Sequence, residues 1–168
     1  NLDSNSAFLN IQANMNIAKA ANYTIKVSNA DTGEIYRSVN NSFNVSNDTT
    51  LGAGFGINNP KLWWVRNLGE PYLYPMKVEL ISQNQTIHQM TVNVGLRTIE
   101  LVQERDSIGK SFYFKINNVS VFAKGANYIP PDVFMPRVTN ATYEQIIKDA
   151  VDANYNFLRV WGGGNYES

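Results

Sequence analysis

Hydrophobic and polar residues alternate along the first part of the chain, from Ala7 to about Asn93. Apolar residues occupy every second position from Leu9 to Ile17, and asparagine or glutamine fills the positions between them. This pattern predicts a strand with one face in water. Similar runs follow at 23–28, 35–39, 76–80 and 89–94, with turn-forming residues between them. Short strands at such close intervals are typical of an antiparallel sandwich, so we predict an immunoglobulin-like β-sandwich over residues 1–97.

A joining strand and hairpin are predicted for residues 98–118. Apolar residues alternate at 112–116 and again at 119–123, on either side of Asn117-Asn118. Two asparagines suit the tight turn of a hairpin, because asparagine tolerates the left-handed backbone conformation. The run 119–123 is predicted to be the first strand of the next region.

The spacing of apolar residues becomes helical after Gly125. A stripe with helical spacing begins at Tyr143 and ends at Val151, and Thr139 or Asn140 can cap its amino end. Residues 157–161 are predicted to form a short buried strand. Strand, helix and strand in this order form a βαβ unit, whose parallel strands need cover on both faces. Because one helix cannot provide that cover, we expect the chain to be a piece of a longer polypeptide.

Arg159 lies in the middle of the predicted buried strand. The pleat places Phe157, Arg159 and Trp161 on one face. A buried guanidinium is costly without carboxylate or carbonyl partners, so we expect acidic groups from further strands on this face. Ligands of α/β folds bind at the carboxyl ends of parallel strands, which here are 125–128 and 161–164. A purely structural pairing of Arg159, with Trp161 as core filling, is the alternative.

Composition excludes several kinds of site. The 14 Lys and Arg residues balance the 14 Asp and Glu residues, so charge gives no reason to expect nucleic acid or an anionic membrane as partner. With no cysteine and one histidine, His88, we expect no thiolate chemistry, no disulfide and no multi-histidine metal site. No apolar run approaches the roughly 20 residues that span a bilayer. We therefore expect no cofactor and no metal.

Seven Asn-x-Ser/Thr tripeptides occur, and this is the acceptor pattern for N-linked glycans. An asparagine-rich sequence produces such tripeptides by chance, so the sequence by itself does not predict glycosylation. They begin at Asn22, Asn40, Asn44, Asn47, Asn84, Asn118 and Asn140.

Several motifs resemble the β-mannosidase branch of glycoside hydrolase family 2. They are KLWW at 61–64, LGEPYLY at 68–74, KGANYIP at 124–130, RVT at 137–139, DAVDANYN at 149–156 and LRVWGGGNYE at 158–167. The resemblance covers most of the chain after residue 60 and is most specific in the last motifs. Two departures stand out, because Val65 replaces a usual proline and Tyr128 a frequent tryptophan of the family.

The resemblance implies a mainly β chain in which the immunoglobulin-like sandwich leads into the start of a (β/α)8 TIM barrel. Residues 119–168 would be the incomplete amino-terminal part of that catalytic domain. The first barrel strand would lie near 119–123, the first helix near 142–153 and the second strand at 156–161. The remaining strands would lie outside this sequence.

The resemblance also implies a retaining exo-β-mannosidase that removes terminal β-D-mannose from oligosaccharides or glycans. Such enzymes use two carboxyl groups about 5–5.5 Å apart, one as nucleophile and one as acid/base. In the family both are glutamates at the ends of the fourth and seventh barrel strands, and the acid/base directly follows an asparagine. The chain contains no Asn-Glu pair, so we expect neither catalytic glutamate in it.

Two residues match family positions near the sugar, and two more are placed beside them by their position after strand one. Trp161 corresponds to a tryptophan of the sugar subsite, and Arg159 resembles the strand-two arginine that holds the nucleophile ionised and in place. Asn127 and Asp132 follow strand one and are predicted to line the rim.

Two alternatives to a β-mannosidase remain open. One is another family 2 glycosidase, such as a β-galactosidase, glucuronidase or exo-glucosaminidase, against which the Trp-Gly-Gly-Gly segment argues. The other is a carbohydrate-binding or linker sandwich without chemistry, which leaves the βαβ unit and Arg159 unexplained. The resemblance implies export to the periplasm or secretion for a bacterial enzyme and a lysosomal location for an animal one, and the sequence does not choose between them.

Overall fold

The computed structural model of the chain describes Leu2 and residues 5–163. The chain divides into two units, which are treated separately. Unit 1 comprises Asn1–Trp63 and Pro71–Arg97, and unit 2 comprises Trp64–Glu70 and Thr98–Ser168.

Unit 1 is built from six antiparallel strands in two sheets. They are β1 (Ser6–Ile17), β2 (Ala21–Asn29), β3 (Ile35–Phe43), β4 (Ser46–Asn58), β5 (Tyr74–Ser82) and β6 (Gln85–Val94). β1 pairs with β4, and the other four form a sheet in the order β3-β2-β5-β6. The mainly β prediction is confirmed, and the two sheets agree with an immunoglobulin-like sandwich.

The core of unit 1 consists of the inward positions of these strands. Ile25 and Val27 of β2, Leu51 of β4 and Met76 of β5 are almost completely buried. They alternate with polar or smaller residues on the outer faces, because successive side chains of a strand point to opposite sides. Burial of these four large side chains contributes on the order of 1.5–3 kcal/mol each to folding. The period-two pattern therefore located the core positions of β2 and β5, whereas β4 with its buried Leu51 was not among the predicted strands.

The opposite face of β5 carries an ion-pair cluster centred on Glu79. Lys26 Nζ lies 2.6 Å and Lys77 Nζ 2.9 Å from the two carboxylate oxygens. The alternation placed Glu79 on a face in water, but only 7% of the residue is exposed. The two lysine side chains lie over it, so the pattern gave the correct face and the wrong degree of burial.

An open cavity of about 670 Å³ lies between the inner faces of β1 and β6. Its walls include Leu9, Ile11 and Met15 from one sheet and Met90 and Val92 from the other. Met90 and Val92 are 52% and 38% exposed, although the alternation placed both on the inner face. Among the described residues β4 is the only strand that pairs with β1, and Leu2 adds an isolated bridge to Ala7 at the amino end of β1.

Unit 2 begins with a three-stranded antiparallel sheet. Its strands are β7 (Ile99–Val102), β8 (Tyr113–Ile116) and β9 (Val119–Val121). The predicted turn between the last two is confirmed, since Asn117 and Asn118 have φ of 50° and 66°. Two consecutive residues with positive φ match the twist of a two-residue hairpin.

The remainder of unit 2 is a parallel strand pair with one helix. β10 (Gly125–Tyr128) and β11 (Phe157–Val160) pair in parallel, and between them lie a 3₁₀ turn (Met135–Arg137) and helix α1 (Asn140–Asp152). This is the predicted βαβ order. No further parallel strand occurs in the described residues, so the barrel itself stays a prediction.

Helix α1 confirms the sequence prediction closely. Thr139 is the N-cap, and its hydroxyl accepts a hydrogen bond from the Thr142 N–H while the Thr142 hydroxyl accepts one from the Thr139 N–H. This reciprocal pair satisfies two backbone donors that the first turn leaves open. Of the apolar stripe, Ile146 is partly buried, whereas Ile147 is 54% exposed.

The prediction that 119–123 forms the first parallel strand is wrong. Residues 119–121 pair antiparallel with β8, and the strand that pairs with β11 is β10. Alternation is typical of a strand with one face in water, so it predicted the strands of the hairpin. It did not predict the parallel strand that begins at Gly125. A Cβ at Gly125 would overlap the backbone carbonyl of Phe157, so glycine permits the close approach.

The strand predicted at 157–161 is present as β11, but the described residues show that it is not buried. Phe157 is 38% exposed, Val160 44% and Trp161 43%, and Arg159 is exposed as well. β11 has one neighbouring strand in this part of the chain, so one of its edges and much of both faces remain open.

Candidate functional site

Two polar side chains meet on adjacent parallel strands. Asn127 of β10 and Arg159 of β11 are paired in register. The guanidinium Nη1 of Arg159 donates a hydrogen bond of 2.9 Å to the side-chain oxygen of Asn127. Arg159 needed a carboxylate or carbonyl partner, and within the described chain its side-chain partner is this amide carbonyl. Acidic partners from other strands stay a prediction.

One face of the strand pair carries the candidate residues, and the other faces the helix. Ala126 and Leu158, which are paired in register, line a cavity together with Ile146 and Ala150 of α1. Asn127 and Arg159 lie one residue further along each strand and therefore point to the opposite side. The structure thus has the two faces that the sequence predicts for this strand pair: an aliphatic face towards the helix and a separate face that carries Arg159.

The amino end of this face is occupied by the hairpin. Phe157, the first residue of β11, packs against Phe114 of β8 with the rings tilted by 31° and their centroids 5.9 Å apart. Aromatic contacts at this separation are favourable. The hairpin therefore lies at the amino end of β11.

The carboxyl ends of the two strands border a cavity of about 460 Å³. Its walls are Ile129, Pro130, Asp132, Val133, Met135, Trp161 and Gly163. The backbone N–H of Trp161 donates to the Tyr128 carbonyl at 2.9 Å, which continues the parallel pairing beyond β11 and fixes the start of the Trp161 side chain. An apolar wall with a few polar groups is the usual lining of a small-molecule site. Residues 164–168, the rest of the last motif, lie outside the described residues.

Asp132 organises the loop after β10. Its Oδ1 accepts hydrogen bonds of 2.7 Å from both the Arg137 guanidinium and the Phe134 N–H. The Arg137 hydrogen bond, with the Phe134 N–H second, holds the pKa of the Asp132 carboxyl below its usual value. Arg137 also lies over the Phe134 ring, 4.8 Å from its centroid. Asp132 thus lines this cavity and fixes the shape of the loop, and its place at the rim of a sugar site stays a prediction.

Asn156 was not singled out from the sequence, yet it joins the two strands before they begin to pair. Its Oδ1 accepts from the Lys124 N–H at 2.8 Å, and its Nδ2 donates to the Phe122 carbonyl at 3.1 Å. The amide therefore satisfies backbone groups of the segment that enters β10. The only sequence signal for Asn156 was its position directly before an apolar strand.

Asn154 is a second residue whose side-chain contacts the sequence reasoning did not anticipate. It has φ of 58° at the end of α1, and its Oδ1 accepts from Arg66 at 3.1 Å and from Asn67 at 2.9 Å. These donors belong to Trp64–Glu70, the segment of unit 2 that lies within the sequence of unit 1. The left-handed conformation after a helix is the one signal that could have marked Asn154.

Metal and membrane features were searched over the same residues. The described part of the chain contains no group of three His, Cys, Asp or Glu residues placed to hold a metal ion. No helix in it is both long enough and apolar enough to cross a membrane.

The sequence matches known glycosidases. Residues 1–97 match the family model described as glycosyl hydrolases family 2. The chain is 34% identical over 162 residues to Beta-mannosidase B of Aspergillus clavatus, which covers 96% of this chain and 18% of that protein. It is 42% identical over 120 residues to Beta-mannosidase B of Aspergillus flavus, covering 71% of this chain and 14% of that protein.

Solved glycosidase structures also resemble this chain. The β-D-mannosidase of Dictyoglomus thermophilum superposes with a TM-score of 0.85 at 34% identity, over 100% of this chain and 21% of that one. The exo-chitosanase CsxA of Amycolatopsis orientalis has a TM-score of 0.79 at 20% identity, over 99% of this chain and 19% of that one, and shows a shared fold.

The chain spans about a fifth of the length of the first relatives it matches. Both the family model and the relatives at 34–42% identity point to one assignment. The chain belongs to glycosyl hydrolases family 2 and is homologous to the β-mannosidases.

Proposed function

We propose that this chain is part of a retaining exo-β-mannosidase that hydrolyses terminal non-reducing β-D-mannose from oligosaccharides or glycans. The observation that carries the proposal is the placement of Arg159, its partner Asn127 and Trp161 at the carboxyl half of a parallel strand pair. The relatives at 34–42% identity, which are named β-mannosidases, supply the substrate class.

The strand pair and helix are proposed to be the first βαβ unit of a TIM barrel. β10 would be the first barrel strand, α1 the first helix and β11 the second strand. In such barrels the active site lies at the carboxyl ends of the strands, and conserved scaffold contacts lie at the amino ends. The Phe114–Phe157 contact at the amino end of β11 fits this polarity.

Arg159 is proposed to act on the catalytic nucleophile, a glutamate supplied by another strand of the complete enzyme. A guanidinium within hydrogen-bonding reach favours the charged form of a carboxylate and lowers its pKa. The nucleophile must be ionised to attack the anomeric carbon, while the acid/base glutamate must be protonated to release the aglycone. Asn127 would orient Arg159 by accepting one of its five N–H donors.

Trp161, Asn127 and Asp132 are proposed to contact or border the mannose. The indole ring of Trp161 is 43% exposed and forms a wall of the cavity, so an apolar face of the sugar can pack on it. Asp132, whose Oδ1 is already occupied by Arg137 and Phe134, would define the rim of the site.

The test is hydrolysis by the complete enzyme. We expect the full-length protein to cleave an aryl β-mannoside with retention at the anomeric carbon, and to cleave aryl β-galactoside, β-glucuronide and β-glucosaminide far more slowly. The 168-residue chain alone should cleave none of them, because it contains no Asn-Glu pair. Preference for another aryl glycoside would assign a different family 2 activity, and mannose binding without hydrolysis by the full-length protein would favour a non-catalytic module.

A further inference from the structure

The Asn-x-Ser/Thr tripeptides are more numerous than composition explains, which corrects the expectation that they arise by chance. The chain contains 23 asparagines and 20 serines and threonines among 168 residues. Random placement of these residues yields about three acceptor tripeptides, whereas seven occur. Five of the seven begin in unit 1, at Asn22, Asn40, Asn44, Asn47 and Asn84.

All seven acceptor asparagines lie in the described part of the chain, and every one is exposed. A glycan is bulky and hydrated, so an acceptor that becomes buried on folding is incompatible with the folded protein. Asn84 sits in the two-residue turn between β5 and β6 with φ of 61°, and Asn47 lies at the start of β4. Both side chains therefore point away from the core of unit 1.

Two of the acceptor tripeptides face each other across neighbouring strands. Asn22 of β2 is paired with Ser42 of β3, and Thr24 is paired with Asn40. Each asparagine thus lies opposite the hydroxyl residue of the other tripeptide, on the outer face of the four-stranded sheet. The Ser42 hydroxyl donates to Oδ1 of Asn22, which leaves the Nδ2 atom of Asn22, the point of glycan attachment, outside that bond.

We propose that unit 1 is an N-glycosylated surface, modified at one or more of Asn22, Asn40, Asn44, Asn47 and Asn84. The donor would be an oligosaccharide linked through its anomeric carbon to a polyisoprenyl diphosphate. The asparagine Nδ2 forms a bond to that carbon as the bond from the carbon to the diphosphate oxygen breaks. The diphosphate leaves with the bonding electron pair, and one amide proton is released. This inference is independent of the proposed function.

The test uses the natural full-length protein purified from its source. Treatment with peptide N-glycosidase in water labelled with heavy oxygen converts each glycosylated asparagine to labelled aspartate, which peptide mass spectrometry locates. We expect the label at one or more of the five positions. Asn10 and Asn93, which are exposed but have no hydroxyl residue two positions later, are internal controls and should stay unlabelled.

Two further controls separate labelling by the peptide N-glycosidase from labelling that does not depend on a glycan. A digest without the glycosidase measures spontaneous deamidation. For any position that carries label, the hydroxyl residue of its tripeptide is then replaced; Thr24→Ala, for example, should abolish the label at Asn22. Thr91→Ala, on the same outer face but outside any acceptor tripeptide, should leave every site labelled. Unmodified asparagine at all five positions of the natural protein would overturn the proposal.

Discussion

Arg159 and Asn127 are held together across the parallel strand pair by a hydrogen bond of 2.9 Å. The two residues are in register, so the contact is set by the backbone pairing of β10 and β11 and not by a flexible loop. Because such a guanidinium is already held in position before a reaction begins, no free energy has to be spent on orienting it during the reaction.

The first prediction concerns Asn127. In the full-length enzyme Asn127→Ala should lower kcat for an aryl β-mannoside by roughly 10- to 150-fold, because a hydrogen bond to a charged group contributes about 1.5–3 kcal/mol. The acidic limb of the pH–rate profile should also move to higher pH, since a misplaced guanidinium lowers the pKa of the nucleophile less. Asn93→Ala, an exposed asparagine of β6, is the matched control. An unchanged profile with Asn127→Ala would exclude the positioning role.

The second prediction concerns Trp161. Trp161→Ala should reduce kcat/KM by roughly 30-fold or more, which corresponds to the loss of about 2 kcal/mol of transition-state binding. Trp161→Phe, which keeps an aromatic face, should recover part of that loss. Circular dichroism should be the same for both variants, because the indole is 43% exposed. Full activity of Trp161→Ala on a small β-mannoside would remove this residue from the sugar subsite.

The third prediction concerns the glycine that opens β10. Gly125→Ala should destabilise unit 2 by about 3 kcal/mol, because the added methyl group meets the Phe157 carbonyl and the strands must separate. Hydrogen exchange of the amides at 157–160 should become faster. Gly109→Ala is the control, since a Cβ there meets nothing within 4 Å, and its effect should stay within about 0.5 kcal/mol. Equal protection in the two variants would contradict the close approach of β10 and β11.

The fourth prediction is a pH dependence of stability. Hydrogen bonds from Lys26 and Lys77 hold the pKa of Glu79 below its ordinary value of 4.5. The folded carboxylate therefore stays ionised at a pH where the unfolded one is already protonated. Its stabilisation is complete above about pH 4.5 and is lost as the pH falls through the folded pKa.

Urea unfolding at several pH values measures this effect. Glu79→Gln should lower the free energy of unfolding at pH 7 by about 2 kcal/mol, and the difference from the unmodified chain should shrink between about pH 5 and pH 3. Glu34→Gln, in the exposed turn between β2 and β3, is the control and should change stability little. A difference that stays constant down to pH 3 would show that packing and not charge stabilises Glu79.

Period-two and helical spacing predicted most strands of unit 1 and helix α1, because in both cases one face of the element is buried and the other is in water. Ile25 and Met76 are inward positions in the sequence and are fully buried in the structure. Gly125 was missed because strand β10 has no such alternation, so its presence depends on a long-range pairing with Phe157 that local spacing does not record.

The candidate site was predictable in part. Arg159 stood out because a charge in an apolar strand requires a partner, and Trp161 followed it on the same face. The identity of the partner was not predictable, since Asn127 was assigned only to the rim and the register that pairs it with Arg159 depends on where β10 begins. The contacts of Asn154 and Asn156 were missed because their partners are far away in the sequence. Asn154 accepts from side chains up to 88 residues away, and Asn156 bonds to backbone groups up to 34 residues away.

The position of Trp64–Glu70 has a consequence for how such enzymes exchange modules. The stretch is encoded inside the sandwich region, yet Arg66 and Asn67 dock on Asn154, near the far end of the sequence. A recombination event that transplants residues 1–97 as a block would carry along a loop shaped for its former neighbour. Successful swaps should therefore bring either the matching stretch after α1 or compensating changes at positions 66 and 67.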